Sequence, residues 1–346
     1  MPNDPAPPPD RYAKQTRFAP LGEEGQRRLA ESRVLLCGCG ALGSVLAQTL
    51  VRAGVGSIRI VDRDYLELSN LQRQVLFTEQ DVADRLPKAV AAAEHLRRAN
   101  SSVEIEPVVA DVTHKNLARL AEGADLLLDG TDNFETRLLV NDFSIDRGVP
   151  WVYGGVIGAE GRVMPIVPGE TACLACLVPE PPGPGEAPSC DTAGVLGPAV
   201  GVVASIQSIE AIKLLAGRRE EISEGLTVVD LWSGRWRRLA VNRDPDCRAC
   251  ARRELDWLTG ERGSQAVVLC GRGAVQIRPT ADAPPVDLVA MRAELAKLGE
   301  VTGNDYFVHL DLPDHEVTLF DDGRAIITGV EDEAAARTVW ARCFGG

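Results

Sequence analysis

Segments with the hydrophobic period of a helix alternate with short apolar runs of strand length from about residue 24 to residue 156. This alternation is typical of βαβ repeats and predicts a mostly parallel sheet covered by helices. The predicted strands cover residues 33–38, 57–62, 103–110, 125–129 and 151–156, and the predicted helices cover 44–54, 85–99 and 134–147. The predicted fold is therefore α/β, with a Rossmann-like, doubly wound sheet.

The pattern changes after residue 156. A strand is predicted at 162–167, and residues 179–188 contain five prolines, which favours a mobile crossing loop without regular structure. The apolar stretch at 198–215 predicts a buried helix. The runs at 226–231 and 235–241 predict a β-hairpin around Ser233-Gly234.

The chain is predicted to contain a main domain at 11–251, a linker at 252–263 and a small α+β module at 264–346. In the module, strands are predicted at 266–270, 274–278, 305–310, 315–320 and 324–328, helices at 286–298 and 331–343, and a hairpin turn at Asp321-Asp322-Gly323. Residues 1–10 are rich in proline and acidic, which predicts a disordered leader rather than a signal peptide.

Composition narrows the class of protein. The net charge of −13 argues against a nucleic-acid surface, which needs a basic stripe. No run of the sequence approaches the ~18 consecutive apolar residues of a membrane helix. Nine cysteines without a secretory signal indicate a reducing compartment, where thiols serve as ligands or nucleophiles. We therefore expect a cytoplasmic protein that binds neither nucleic acid nor membrane.

Four cysteines form two C-x-x-C pairs. They are Cys173 with Cys176, and Cys247 with Cys250. Each pair places two thiolates close enough for one ion, and a set of four thiolates suits tetrahedral zinc. The alternatives are two separate reactive dithiols or a coincidence of spacing. We favour a structural zinc site because two matched pairs are far more specific than one.

A glycine-rich turn, Gly38-Cys39-Gly40-Ala41-Leu42-Gly43, lies between a predicted strand and a predicted helix. Such glycines let the backbone approach phosphates, and the helix N-terminus supplies oriented N–H groups. Asp62 ends the next strand, 19 residues after Gly43, where a ribose hydroxyl is bound in dinucleotide sites. On these two features alone, a nicotinamide or flavin dehydrogenase would be the leading hypothesis.

The residues that follow favour a triphosphate instead. Arg73 on an irregular loop and Lys88 at the start of a helix are placed to neutralise phosphate oxygens. Asp132 follows the fourth strand and is placed to hold magnesium at the mouth of the sheet. The alternatives are that Arg73 and Lys88 are solvated surface charges and that Asp132 only caps the following helix.

These motifs resemble those of the ThiF/MoeB family of ubiquitin-activating-type adenylyltransferases. The resemblance covers about residues 10–251 and rests on the stretches RYAKQ, GCGALG, VDRDYLELSNLQRQ, PKA, DGTDNFETR and SCDTAGVLGP, in this order. It implies a homodimer that uses ATP and magnesium to adenylate the C-terminal glycine of a small ubiquitin-like sulfur carrier ending in Gly-Gly, of the ThiS or MoaD kind.

The resemblance also implies roles for individual residues. The implied nucleotide-binding set is Gly38, Gly40, Gly43, Asp62, Asn70, Arg73, Lys88 and Asp132. In such dimers an N-terminal basic residue reaches into the partner's site, which here points to Arg11 or Lys14. The family usually has arginine at the position of Lys14, and lysine keeps the charge but loses the bidentate fork. Arg11 is therefore the safer candidate.

Cys190 belongs to neither cysteine pair and lies just after the proline-rich segment. The family resemblance implies that a cysteine here can form a thioester or acyl-persulfide with the carrier; the alternative is a thiol without a chemical role. Some relatives carry a rhodanese domain, but residues 264–346 offer no cysteine loop of that kind. Sulfur, if transferred, would then come from a separate donor protein.

The four histidines lie outside the motifs, which suits chemistry that needs no general base, because a carboxylate is already a competent nucleophile toward ATP. A non-catalytic scaffold that binds a ubiquitin-like protein remains an alternative. The final Gly345-Gly346 matches the ending of a sulfur carrier, and we attribute it to chance because glycine is frequent in this chain.

Overall fold

The computed structural model describes residues 11–182, 190–262, 266–269, 274–277, 286–330 and 332–344. The predicted leader and residues 183–188 of the predicted crossing loop lie outside these ranges. The first sheet comprises eight strands: β1 (Arg33–Cys37), β2 (Ser57–Asp62), β3 (Glu104–Val109), β4 (Leu126–Asp129), β5 (Trp151–Ile157), β6 (Glu160–Ile166), β7 (Leu226–Asp230) and β8 (Arg235–Leu239).

The strand order of this sheet is β3-β2-β1-β4-β5-β6-β7-β8. The first five strands pair in parallel and the last three are antiparallel, so the predicted mostly parallel sheet and the β7–β8 hairpin are confirmed. The chain order reverses between β1 and β4. In open α/β sheets, ligands bind beyond the carboxyl ends of the strands at such a reversal.

Helices cover both faces of the sheet. They are α1 (Ala13–Thr16), α2 (Gly22–Glu31), α3 (Ala41–Ala53), α4 (Glu79–Ala83), α5 (Lys88–Ala99), α6 (Leu117–Leu120), α7 (Phe134–Arg147), α8 (Leu174–Leu177), α9 (Cys190–Ala193), α10 (Gly197–Leu215), α11 (Asp256–Thr259), α12 (Leu288–Leu295) and α13 (Glu333–Phe344). Alternate residues of β1 face opposite cores: Leu36 packs with α3, α5 and α10, and Leu35 with α7 and α8. The fold is therefore doubly wound, as predicted.

The helix predicted at 85–99 begins later, at Lys88. Pro87 occupies the N-cap position with ψ of 140°, and Arg85 has a positive φ of 51°. Neither conformation is helical, so residues 85–87 form a turn before the helix. Lys88 is therefore the first residue of α5.

The helix predicted at 198–215 is confirmed as α10, but it is only partly buried. It is the one helix in the described part of the chain that is long and apolar enough, by length and composition, to span a membrane, although Gln207, Glu210 and Lys213 interrupt its apolar residues. It packs on α3, β5 and β6, and 56% of its apolar stretch is buried inside the protein. We interpret it as a core helix with one exposed face, on which Ile209 is 54% exposed.

The C-terminal residues form a second sheet that is wholly antiparallel, with the order β11-β12-β13-β14-β10-β9. Its strands are β9 (Ala266–Leu269), β10 (Ala274–Ile277), β11 (Glu300–Gly303), β12 (Phe307–Asp311), β13 (Glu316–Phe320) and β14 (Ala325–Thr328). The α+β module and its hairpin turn are confirmed, although β11 was not predicted. The predicted linker contains α11, whose Trp257 N–H donates to Asp142 of α7 at 3.2 Å.

Candidate nucleotide and metal sites

The glycine turn joins β1 to α3 and packs tightly against the end of β4. Gly38 has a φ of +88°, which favours glycine. A Cβ atom on Gly43 would lie 2.1 Å from the Gly38 carbonyl oxygen, and one on Gly130 would lie 2.3 Å from the same atom. Gly40 differs, because its nearest neighbour would be the Gln74 side chain at 3.8 Å. Gly38 and Gly43 therefore shape the turn, whereas Gly40 leaves space for a ligand at the N-terminus of α3.

Asp62 links the glycine turn to the end of β2. Its Oδ2 accepts the Cys39 N–H at 2.6 Å, and its Oδ1 accepts the Asp64 N–H at 2.8 Å. The residue is only 8% exposed, and burial raises the pKa of this carboxyl while Lys88 opposes the shift. A carboxylate has about four acceptor positions, so Asp62 retains capacity for ribose hydroxyls.

Lys88 lies beneath the crevice and pairs with Asp64, with 3.0 Å between Nζ and Oδ2. Because Lys88 is 3% exposed, the alternative of a solvated surface charge is wrong for this residue. Asp64 was not among the predicted site residues. The signal for it was the repeated acid in Val61-Asp62-Arg63-Asp64, which places a second carboxylate just beyond the strand.

The loop that carries Asn70 and Arg73 is folded by its own polar groups. The Asn70 side chain is 2% exposed and accepts the Glu67 N–H at 3.1 Å, which closes a short 3₁₀ turn. Arg73 is half-buried and donates from Nη1 to the Ser69 carbonyl at 3.0 Å. Asn70 therefore has a structural role in the loop, while the Arg73 guanidinium keeps further N–H donors for a ligand.

Asp132 is exposed at the carboxyl end of β4 and does not cap α7. The cap is Asn133, whose Oδ1 accepts the Thr136 N–H at 2.8 Å. The alternative that Asp132 serves only as a helix cap is therefore wrong. Its carboxylate is left facing solvent beside the nucleotide crevice.

Arg137 holds the loop that precedes Asp132, and sequence analysis did not identify it. Its Nε donates to Asp129 at 2.9 Å, and its Nη2 donates to the carbonyls of Thr131 at 2.7 Å and Gly154 at 3.1 Å. Its guanidinium carbon lies 5.4 Å from the ring centroids of both Phe134 and Tyr153. The arginine thus fixes the Thr131–Asp132 segment against the sheet.

Arg63 is a second cation that the sequence did not single out. It lies 3.4 Å from Asp111 and 3.8 Å from Asp64. Burial disfavours its charge, but the surrounding carboxylates, which include Asp132, hold the pKa of Arg63 above its ordinary value. Acidic side chains therefore alternate with buried cationic side chains at the carboxyl ends of the strands.

Arg11 and Lys14 do not reach the crevice of their own chain. Arg11 donates to the carbonyl of Ala99 at 3.0 Å, at the opposite end of α5 from Lys88. At about 1.5 Å per residue, that end lies roughly 16 Å away along the helix. Lys14 is exposed on α1.

The four predicted metal ligands come together. The Sγ atoms of Cys173 and Cys176 are 3.8 Å apart, those of Cys173 and Cys247 are 3.6 Å apart, and those of Cys176 and Cys250 are 3.5 Å apart. All four lie within 4.8 Å of one another. Zn–S bonds of about 2.3 Å in a tetrahedron require sulfurs about 3.8 Å apart, so this cluster fits zinc.

The other cysteines differ in their surroundings. Cys37 and Cys39 are fully buried, and burial raises the pKa of Cys37 to about 12, which supports packing roles for both. Cys190 begins α9, and its side chain lies outside the described residues, as does Cys270. Cys343 is half-buried in the C-terminal module.

A doubly wound sheet, a glycine turn at its order reversal and a crevice of paired acids and cations define a nucleotide-binding α/β protein. The ThiF family profile matches residues 12–249. The chain belongs to the ThiF family.

Relatives of known name agree with this assignment. The chain is 44% identical over 338 residues to the sulfur carrier protein ThiS adenylyltransferase of Bacillus subtilis, covering 97% of this chain and 99% of that protein. It is 37% identical to the Escherichia coli K12 protein of the same name, covering 71% and 96%. Among solved structures, E. coli MccB with ATP aligns with a TM-score of 0.61 at 23% identity, covering 70% of this chain and 74% of that chain, which supports the fold alone.

Proposed function

We propose that this protein uses ATP to adenylate the C-terminal glycine of a small ubiquitin-like sulfur carrier ending in Gly-Gly, which prepares that carrier for sulfur transfer. The observation that carries the proposal is the open glycine turn, where Gly40 faces free space and the Cys39 N–H donates to Asp62, which is linked through Asp64 to the buried Lys88. The full-length similarity to the B. subtilis adenylyltransferase supports the choice of substrate.

In this proposal each residue contributes position or charge. Gly40 and the N-terminus of α3 receive phosphate oxygens, and Asp62 accepts hydrogen bonds from the ribose. Arg73 and Lys88 neutralise charge that develops at the α-phosphate as the carrier's terminal carboxylate attacks and pyrophosphate leaves. Asp132 would hold magnesium, whose charge screens the triphosphate, because its exposed carboxylate is a suitable hard oxygen ligand.

We assign a structural zinc ion to the cluster of Cys173, Cys176, Cys247 and Cys250. The ion would join the segment after β6, which carries the first cysteine pair, to the segment after β8, which carries the second. In this structural role the zinc ion takes no part in the adenylation.

We further propose that the protein acts as a homodimer in the cytoplasm. Arg11 and Lys14 lie far from the crevice of their own chain, which is consistent with a role in the partner's site. Beside α3, the exposed face of α10 forms an apolar groove with Val75, Val202, Ile206, Ile209 and Trp236, and a second copy is its proposed occupant. Sedimentation equilibrium tests this assembly, and a monomer at micromolar concentration would exclude it.

We also propose that the Cys190 thiol attacks the carrier adenylate. It forms a thioester with the carrier's terminal glycine, and AMP leaves. A separate donor protein would supply the sulfur. Intact-mass analysis of the unsubstituted protein and of Cys190→Ala tests this route. Only the protein that retains Cys190 should gain the mass of the carrier.

ATP–pyrophosphate exchange against a panel of purified Gly-Gly carriers tests the function as a whole. Exchange should occur with one carrier of the panel and should be lost in Asp132→Ala. Asp146→Ala removes the same charge at the far end of α7 and should leave exchange intact. Binding of ATP and a carrier without any exchange would support the scaffold alternative. Nicotinamide binding without a response to ATP would support a dehydrogenase.

A further inference from the structure

The C-terminal module packs against the loops that surround the proposed ribose carboxylate. The Phe307 ring of β12 lies 5.7 Å from the Tyr65 ring, just after β2. Phe307, Phe320 and Ile326 form a buried cluster on one face of the second sheet, and Tyr65 and Val109 pack against it. The module therefore covers the carboxyl ends of β2 and β3, the side of the crevice opposite α10.

Buried polar contacts fix the position of the module at this interface. Gln276 is fully buried and donates from Nε2 to Asp111 Oδ2 at 3.0 Å. Arg324 is 2% exposed and donates from Nη1 to the Arg63 carbonyl at 3.2 Å. Buried polar groups are costly unless they are paired, so these contacts specify one docking geometry rather than a loose association.

The same face of the module also holds the turn before Lys88. Asn304 donates from Nδ2 to the Arg85 carbonyl at 3.0 Å, and the Arg85 guanidinium donates to the Thr302 hydroxyl at 2.5 Å. Arg85 has a positive φ, which is unfavourable for a residue with a side chain and persists only when its surroundings impose it.

The contacted residues connect directly to the nucleotide site. Arg63 pairs with Asp111 and Asp64, Asp64 pairs with Lys88, and the Asp64 N–H donates to Asp62. A displacement of the Arg63 backbone would therefore move the two carboxylates and the lysine together.

We propose that the C-terminal module is an intramolecular buttress of the nucleotide site. It positions the segment at 63–66 through Arg324, the segment at 109–112 through Gln276 and the turn at 85–87 through Asn304 and Thr302, and thereby sets the affinity for the nucleoside part of ATP. Arg324 and Gln276 are positioning residues in this account, since neither reaches the crevice. The inference rests on the proposed function, because it assumes that the crevice binds ATP.

The test compares Arg324→Ala and Gln276→Met with Arg337→Ala in the full-length protein. Arg337 is an exposed arginine of α13 that, among the residues the structure describes, pairs with Glu333 of its own helix, so the control removes the same charge from the same module. Dissociation constants are measured for MgATP, AMP and pyrophosphate without carrier, and thermal unfolding confirms that each variant is folded.

Arg324→Ala removes the bond to the Arg63 carbonyl and the ion pair with Asp322, and we expect it to weaken MgATP and AMP about tenfold each. Gln276→Met removes one buried hydrogen bond and should weaken them about three- to tenfold. Pyrophosphate affinity should fall less than AMP affinity, and Arg337→Ala should leave all three dissociation constants unchanged. Equal ATP affinity in all three variants would overturn the inference, as would weakened carrier binding with unchanged ATP binding. If the unsubstituted protein itself bound no ATP, the proposed function would fail instead.

Discussion

Replacing Arg137 with methionine removes the cation that anchors the segment before Asp132. The substitution keeps an apolar chain between Phe134 and Tyr153 but leaves the Asp129 carboxylate, which is 2% exposed, without its ionic partner. Breaking a buried ion pair from one side costs about 3–5 kcal/mol of folding free energy. Asp129 still accepts from the Thr131 N–H and hydroxyl at 2.9 and 2.7 Å, so we expect the lower end, about 3 kcal/mol.

Urea unfolding at pH 7 measures this cost, and Arg147→Met is the matched control. Arg147 ends the same helix, but its side chain is 60% exposed, so its loss should change the unfolding free energy by no more than about 0.5 kcal/mol. Adding Asp129→Asn to Arg137→Met should recover part of the loss, because the unpaired charge is gone. A cost below about 1 kcal/mol for Arg137→Met would refute the reasoning.

Substitutions at Arg73, Cys247 and Asp142 test other parts of the structure. Arg73→Ala should lower the rate of carrier-dependent pyrophosphate exchange about 10²–10³-fold while leaving the melting temperature unchanged, since this side chain makes one local bond. Cys247→Ser should lower the zinc content measured by mass spectrometry and the melting temperature together; a metal-free protein of unchanged stability would contradict the structural role. Burial raises the pKa of Asp142 to about 6, so its ionisation should cost the native state about 2 kcal/mol as pH rises from about 4 to 6. Asp142→Asn should therefore reduce the loss of unfolding free energy between pH 4 and pH 8 in urea unfolding, although it also removes the ionic partner of Arg248, 3.6 Å away.

Much of the fold was predictable because local pattern and tertiary structure agree there. The strand at Ser57–Asp62 and the helix at Phe134–Arg147 were predicted with the bounds that the structure gives, since both have clear periodicity and polar ends. The four-cysteine cluster was predictable for a similar reason, because ligand spacing is itself a local pattern. Strand β11 was missed, since Glu300–Gly303 is short and half exposed.

The candidate site was predictable only in part, since its geometry depends on contacts between distant segments. Nothing local marks Arg63 or Arg137 as buried cations, because their carboxylate partners lie on other strands or loops. The docking of the C-terminal module was equally hidden: Gln276 is 165 residues from Asp111 in sequence, and its contact follows from how the two sheets meet. The predicted roles of the individual site residues stay predictions.

The most direct test of the central claim is intact-mass analysis of a Gly-Gly carrier after incubation with the enzyme and MgATP and a rapid acid quench. We expect a carrier heavier by one AMP, and no such species when the terminal glycine is removed or Asp132 is replaced by alanine. An enzyme that binds both ATP and carrier yet leaves every carrier of the panel unmodified would contradict it.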